Sequence, residues 1–131
     1  MIKALKVTMI IWGAVGILAG LSYIIIPALV ADLFSFGQIA DHVRWIMAFS
    51  GAVFIAAGYW VIVAARDLLL HINWVKFEIT KSLLVVAVTV YSIIQGYVHF
   101  SQVGPILILF AVFAVALLAL YPWRAASRKI S

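Results

Sequence analysis

Four long stretches without a charged side chain constrain this chain more than any other feature. They cover residues 7–26, 45–65, 82–98 and 100–123. A helix needs ~20 apolar residues to cross a bilayer core, and three of the stretches reach that length. The third is shorter, but charged side chains at its start can extend toward the interface. We therefore predict an all-α protein, an integral membrane bundle of four transmembrane helices near residues 5–26, 43–65, 77–99 and 103–123.

Composition supports a single membrane domain and excludes several classes of protein. The chain has 131 residues, of which 68% are hydrophobic and 10% are charged. A soluble domain of that size cannot bury so much apolar surface. Cysteine is absent from the sequence, which excludes disulfides, thiolate metal sites and thiol redox chemistry.

The positions of the basic residues predict the orientation. Of the nine Lys and Arg residues, all but Arg44 lie before the first span, between the second and third, or after the fourth. Because positive charge concentrates in cytoplasmic segments, both termini are expected in the cytoplasm. The same distribution accounts for the net charge of +5 without nucleic acid. The eight cytoplasmic cations are Lys3, Lys6, Arg66, Lys76, Lys81, Arg124, Arg128 and Lys129.

Small residues recur at helical spacing in three of the spans. Glycines and small polar residues allow membrane helices to approach closely, so we predict that these faces pack within the bundle, with homodimerisation as the alternative. The stripe along the third span is expected to pack against the glycine faces of the first two. The predicted packing residues are Gly13, Gly16, Gly20, Gly51, Gly58, Ser82, Thr89, Ser92 and Gly96.

One cluster of polar residues has the character of a ligand site. In an antiparallel bundle, the start of span two and the end of span three lie at the same outer side, which brings His42 and His99 to a similar depth. The candidate ligand-binding residues are Asp41, His42, Arg44, Gln95 and His99. Three interpretations remain open: a solvated cap in which Asp41 caps a helix, a pocket for an anion or quinone, and a metal or bis-histidine haem site.

The remaining charged pair points to packing rather than to catalysis. Glu78 and Lys81 are spaced i,i+3 and are expected to form an ion pair at the cytoplasmic end of span three. Because no ionisable group is expected near the middle of any span, a proton or ion path is disfavoured. Nucleophile–base pairs and paired carboxylates do not occur in the sequence, so we predict that the protein is not an enzyme.

The first half of the chain resembles a known group of membrane proteins. A glycine-rich span ends in Pro27 and is followed by Ala-Leu-Val-Ala-Asp-Leu-Phe at 28–34, by Arg44, by a span from Gly51 to Gly58, and by Ala-Ala-Arg-Asp at 64–67. This arrangement is similar to small, uncharacterised bacterial four-helix membrane proteins of the DoxX-like kind. The resemblance implies a four-helix bundle in the inner membrane and no assigned activity.

These observations favour a non-catalytic accessory or structural subunit without a cofactor, which packs on itself or on a larger membrane complex. The alternative is a protein that binds or transports a lipid, quinone or anion in an outer pocket between spans two and three. A haem-binding electron-transfer subunit is the third hypothesis.

Overall fold

A computed structural model describes residues 2–123 and shows an all-helical chain. Four of its helices are long and apolar enough to cross a membrane, as predicted. The orientation stays a prediction, and Arg124, Arg128 and Lys129, on which it partly rests, lie outside the described residues. The helices are α1 (Ile2–Ile25), α2 (Pro27–Leu33), α3 (Asp41–Ala64), α4 (Ile72–Ile94) and α5 (Phe100–Leu120), and a 3-10 turn (Ala65–Asp67) extends α3.

The largest difference from the predicted spans is in α4. This helix begins at Ile72 and ends at Ile94, about one turn earlier at each end than the predicted span 77–99. It ends before Gly96, whose φ of +77° lies in the left-handed region that glycine adopts without strain. Gly96 is therefore a turn residue, and a Cβ at this position would meet nothing within 4 Å. The prediction that Gly96 packs helices together was wrong.

Helices α1 and α3 form one closely packed antiparallel pair held by glycines. A Cβ added to Gly13 would lie 2.7 Å from the carbonyl oxygen of Gly58, and one added to Gly58 would lie 2.5 Å from that of Gly13. Gly20 and Gly51 make the equivalent contact nearer the other end. Side chains at these four positions would force the backbones apart, which is why only glycine allows this approach. The predicted packing role of these glycines is confirmed.

The glycine face of α1 is occupied by α3, so the expected contact between the polar stripe of α4 and the glycine faces was wrong. Helix α4 packs instead mainly on α5, and α5 also contacts α1. The buried core joins these helices through Leu5 and Met9 of α1, Val75 of α4 and Leu117 of α5. The bundle thus consists of two hairpins, α1–α3 and α4–α5, which meet across α1.

The connection from α1 to α3, which contains α2, and the connection from α4 to α5 lie at the same end of the bundle, which we call the α2 end. Helix α2 joins α1 to α3 there and buries Val30 and Ala31 against the bundle. The side-chain amide of Gln102, in the first turn of α5, donates a hydrogen bond of 3.0 Å to the carbonyl of Ser35. The opposite end carries the start of α1 and the α3–α4 connection.

Candidate functional site

An apolar cavity of about 310 Å³ lies between the two hairpins. It runs from the middle of the bundle to the α2 end, where α2 forms its roof. Leu33 and Leu109 line the cavity and are also exposed at the surface, so it reaches the lipid-facing side between α2 and α5. Its lining is Trp12, Val15, Gly16, Ala19, Ser22, Tyr23, Ile26, Val30, Leu33, Phe34, Phe54, Lys81, Ile106, Leu109 and Phe110.

The deep end of the cavity carries Lys81 of α4, the only charged lining residue among residues 2–123. The ammonium nitrogen lies 5.7 Å from the centroid of the Trp12 ring and 5.9 Å from that of Phe77. Both distances are within the range of a cation–π contact. Trp12 is itself fixed, because its ring stacks on Phe113 at 4.1 Å and meets the edge of Phe110 at 4.9 Å. The charge is thus held in place by aromatic rings.

Lys81 also forms an ion pair with Glu78, as the i,i+3 spacing predicted. Its Nζ lies 2.6 Å from Oε2 of Glu78, and the side chains are 21% and 1% exposed, respectively. A buried carboxylate is tolerated only when it is paired, because desolvation of an isolated charge costs several kcal/mol. Lys81 therefore neutralises Glu78 while it lines the cavity.

This pair lies deep in the bundle, which corrects the expectation that it sits at a cytoplasmic helix end. Because α4 begins at Ile72, Lys81 is its tenth residue, about 13 Å from the start of the helix. Trp12 is the eleventh of the 24 residues of α1, close to the midpoint of that helix. An ionisable residue therefore lies near the middle of α4, so the expectation that the middle of every span is uncharged was wrong, and the argument against a polar path loses its premise.

Several buried polar atoms beside the deep end lack a hydrogen-bond partner among the described residues. They are Nε1 of Trp12, Oγ of Ser82 and the carboxylate oxygens of Glu78, of which Oε2 has only the ion pair. Buried polar groups are almost always satisfied by protein, water or ligand, so these atoms leave unused hydrogen-bonding capacity beside the deep end.

Ser82 differs in this respect from the other hydroxyls of its helix. Thr89 and Ser92 each donate to the carbonyl four residues earlier, at 2.7 and 2.8 Å, as Ser and Thr hydroxyls within helices commonly do. Thr80 does the same at 2.9 Å. Ser82 is the fully buried hydroxyl of this group, and it makes no such bond. Its hydroxyl remains available beside the ion pair, one turn from Glu78.

The residues of the predicted outer cluster are all exposed, and no hydrogen bond or ion pair within residues 2–123 joins one of them to another. Arg44 lines a separate polar pocket with Asp32 and Gln38. Asp41 is the first residue of α3 and makes no side-chain capping bond, so the expectation that it caps this helix was wrong.

The other members of the outer cluster lie on the α4–α5 connection. Gln95 follows the last residue of α4, and His99 directly precedes α5, with its backbone N–H bonded at 2.9 Å to Oε1 of Gln102. His99 therefore orders the start of a helix. None of Asp41, His42, Gln95 and His99 lines a described cavity. Within the described part of the chain, no group of three His, Asp or Glu residues is placed to hold a metal ion. A haem or anion site at this cluster stays a prediction.

Trp12, the aromatic floor of the cavity, was not singled out from the sequence, and Lys81 was assigned only to an interfacial ion pair. Both residues could be identified from the distance between Lys81 and the start of its helix. An ammonium group beyond the second turn of a membrane helix requires a partner inside the bundle. That distance depends on where α4 begins, and the segment 72–77 carries no clear start signal.

Comparisons with known proteins add no information on function to that given by the site. No family model, curated protein or solved structure matches the chain. The resemblance to DoxX-like proteins stays a prediction.

Proposed function

We propose that this protein is a non-catalytic, multi-pass membrane protein that binds a lipid-soluble small molecule in the cavity between its two hairpins. The observation that carries the proposal is the meeting of an apolar cavity with the buried Glu78–Lys81 pair at its deep end. Ligand sites are typically apolar pockets with a few convergent polar groups, and an ionisable residue inside a membrane bundle is a functional candidate by default.

The size and surroundings of the cavity favour a ligand that arrives from the bilayer. A second apolar pocket of about 380 Å³ shares Tyr23, Val30, Phe34 and Ile106 with the first and continues toward the α2–α3 connection. Together the two pockets form a long apolar space that suits an acyl or isoprenoid chain. A water-soluble ligand would gain little binding free energy from these apolar side chains.

A catalytic role is not proposed, because the described lining holds no nucleophile–base pair. The hydroxyl of Ser22 donates to the carbonyl of Ala19 at 2.7 Å. Lys81 is paired with Glu78, and histidine is absent from the described lining. General acid–base or nucleophilic chemistry requires a free, positioned group of this kind.

The accessory-subunit hypothesis remains a second proposal, supported by the breadth of exposed apolar surface along all four spans. Contact with lipid would account for this exposed apolar surface equally well. The glycines that could mediate association pack instead within the α1–α3 pair. The size of the purified protein in several detergents tests it: a stable, partner-free monomer would remove homo-oligomerisation.

The binding proposal is tested by filling the cavity. Ala19 lines it, whereas its neighbour Leu18 is exposed to lipid on the same helix. We expect Ala19→Phe to reduce saturable photo-crosslinking of a diazirine-bearing alkyl probe in nanodiscs, and Leu18→Phe to leave it unchanged. Peptide mapping should place the wild-type crosslinks on cavity residues. Crosslinks confined to exposed positions, unaffected by Ala19→Phe, would contradict the proposal.

A further inference from the structure

The charge balance and depth of the cavity floor restrict the chemistry of the ligand, if the proposed binding function holds. Within the described part of the chain, Lys81 is the only cation lining the cavity, and Glu78 already neutralises it. An anionic head group would therefore bring an uncompensated negative charge into the middle of the bundle, where unpaired charge is most costly. A cationic head would meet the ammonium of Lys81 directly. The balance favours a ligand without net charge.

The unused hydrogen-bonding groups at the floor are donors. An ammonium has three N–H donors, and the ion pair with Glu78 uses one of them. The indole N–H of Trp12, by contrast, is fully buried and is not accessible from the cavity, so the accessible donors are those of Lys81. The Glu78 carboxylate does not line the cavity. The group that these donors complement is a hydrogen-bond acceptor, such as a carbonyl oxygen.

The depth of the floor excludes large head groups. Trp12 is near the midpoint of α1, and the cavity leads from there to the α2 end. A phospholipid keeps its charged head at the interface and cannot place it at that depth at acceptable cost. A neutral lipid with a small polar head can enter the hydrocarbon region with its head first.

We infer that the ligand is an uncharged membrane lipid with a carbonyl-type acceptor at one end, bound with that acceptor at Lys81 and with its apolar chain toward α2. Lys81 then serves two partners at once, Glu78 and the ligand. The ion pair acts as a neutral donor rather than as an anion site.

Competition between ligands of equal chain length tests this inference in nanodiscs. The probe is a long-chain methyl ketone with a diazirine in its tail, and the competitors are 2-octadecanone, octadecane and an octadecyl sulfonate. A hydrogen bond from a charged donor corresponds to about a tenfold gain in affinity. We therefore expect the ketone to displace the probe at about tenfold lower mole fraction than octadecane does. The sulfonate should compete less well than the ketone.

Two variants assign the preference to the cavity floor. The pair Glu78→Leu with Lys81→Met removes both charges together, a change that buried ion pairs often tolerate. Trp12→Phe keeps the aromatic ring and removes an N–H that is not accessible from the cavity, so it serves as the control. The double variant should shrink the advantage of the ketone over octadecane while crosslinking to the cavity persists, whereas Trp12→Phe should leave that advantage in place. A ketone advantage that is unchanged in the double variant would overturn the assignment.

The competitors also separate this inference from the binding proposal on which it rests. Strongest competition by the sulfonate, or equal competition by ketone and octadecane with crosslinks still in the cavity, would overturn the neutral-acceptor inference alone. Loss of all saturable cavity crosslinking in the wild-type protein would overturn both.

Discussion

The two sides of α1 show how differently one helix can be used. Toward α3 it presents Gly13 and Gly20, and the backbones touch. Toward α4 and α5 it presents the bulky Trp12 beside the small residues Ala19 and Ser22, and a cavity with a buried charge pair next to it lies there. Close backbone contact gives a tight interface without polar groups, whereas the bulky side leaves space and unpaired donors. The structure thus separates a packing face from a candidate binding face on a single helix.

The largest effect that would sharpen this comparison is expected on the bulky side. Lys81→Met leaves Glu78 buried without a partner, which we expect to lower the free energy of unfolding by about 3–5 kcal/mol. Reversible unfolding in mixed micelles measures it. The matched control is Lys81→Met combined with Glu78→Leu, which should recover most of the loss. An equal loss in both variants would show that the charges do not act as a pair.

The next effect is expected at the glycine face. The Cβ of Gly58→Ala would lie 2.5 Å from the carbonyl oxygen of Gly13, so the helices must separate, at a cost of about 1–3 kcal/mol. Gly16→Ala is the control, since its Cβ would make an ordinary contact, 3.5 Å from the carbonyl oxygen of Phe54. The same unfolding assay compares the two. Similar losses at both positions would contradict a contact localised at Gly58.

A smaller effect is expected from the unpartnered hydroxyl beside the ion pair. Ser82→Ala removes a buried polar atom without a hydrogen bond among the described residues, so stability should rise by up to about 1 kcal/mol in ligand-free protein. Thr89→Val removes a hydroxyl that is bonded to its own helix and serves as the comparison. A clear destabilisation by Ser82→Ala would indicate that bound water or another group satisfies this hydroxyl.

The smallest effect is expected at the outer cluster. Arg44→Ala and His42→Ala change exposed side chains that make no hydrogen bond or ion pair within the described chain. Their effect on unfolding should stay within about 0.5 kcal/mol, and ligand crosslinking in the cavity should not change. A large loss of ligand crosslinking in either variant would return the binding site to the outer cluster.

The parts of the fold that could be predicted follow from strong local signals. Uncharged runs locate four spans, small-residue spacing locates Gly13, Gly20 and their partners, and the i,i+3 spacing pairs Glu78 with Lys81. These features depend on neighbours in sequence or on one-helix periodicity.

The candidate site could not be predicted, because it depends on how helices are placed relative to one another. Lys76 and other polar residues in the first turns of α4 make the start of this helix hard to locate in the sequence. The distance of Lys81 from that start was therefore underestimated. The cavity arises from the side-chain sizes of α1, α2, α3 and α5 in one particular register. A single sequence carries no direct signal for that register.

The contact between Lys81 and Trp12 has a consequence for how the chain enters the membrane. Helix α4 carries two charges that are costly to insert alone, while α1 and α3 carry none in their middle turns. Since α1 and α3 are made first, their glycine-held hairpin can assemble before α4 leaves the ribosome. The assembled hairpin then exposes the Trp12 ring, which the ammonium group of Lys81 can contact when α4 enters the membrane. We expect the first hairpin to act as an insertion partner for the second, and α4 without it to integrate poorly.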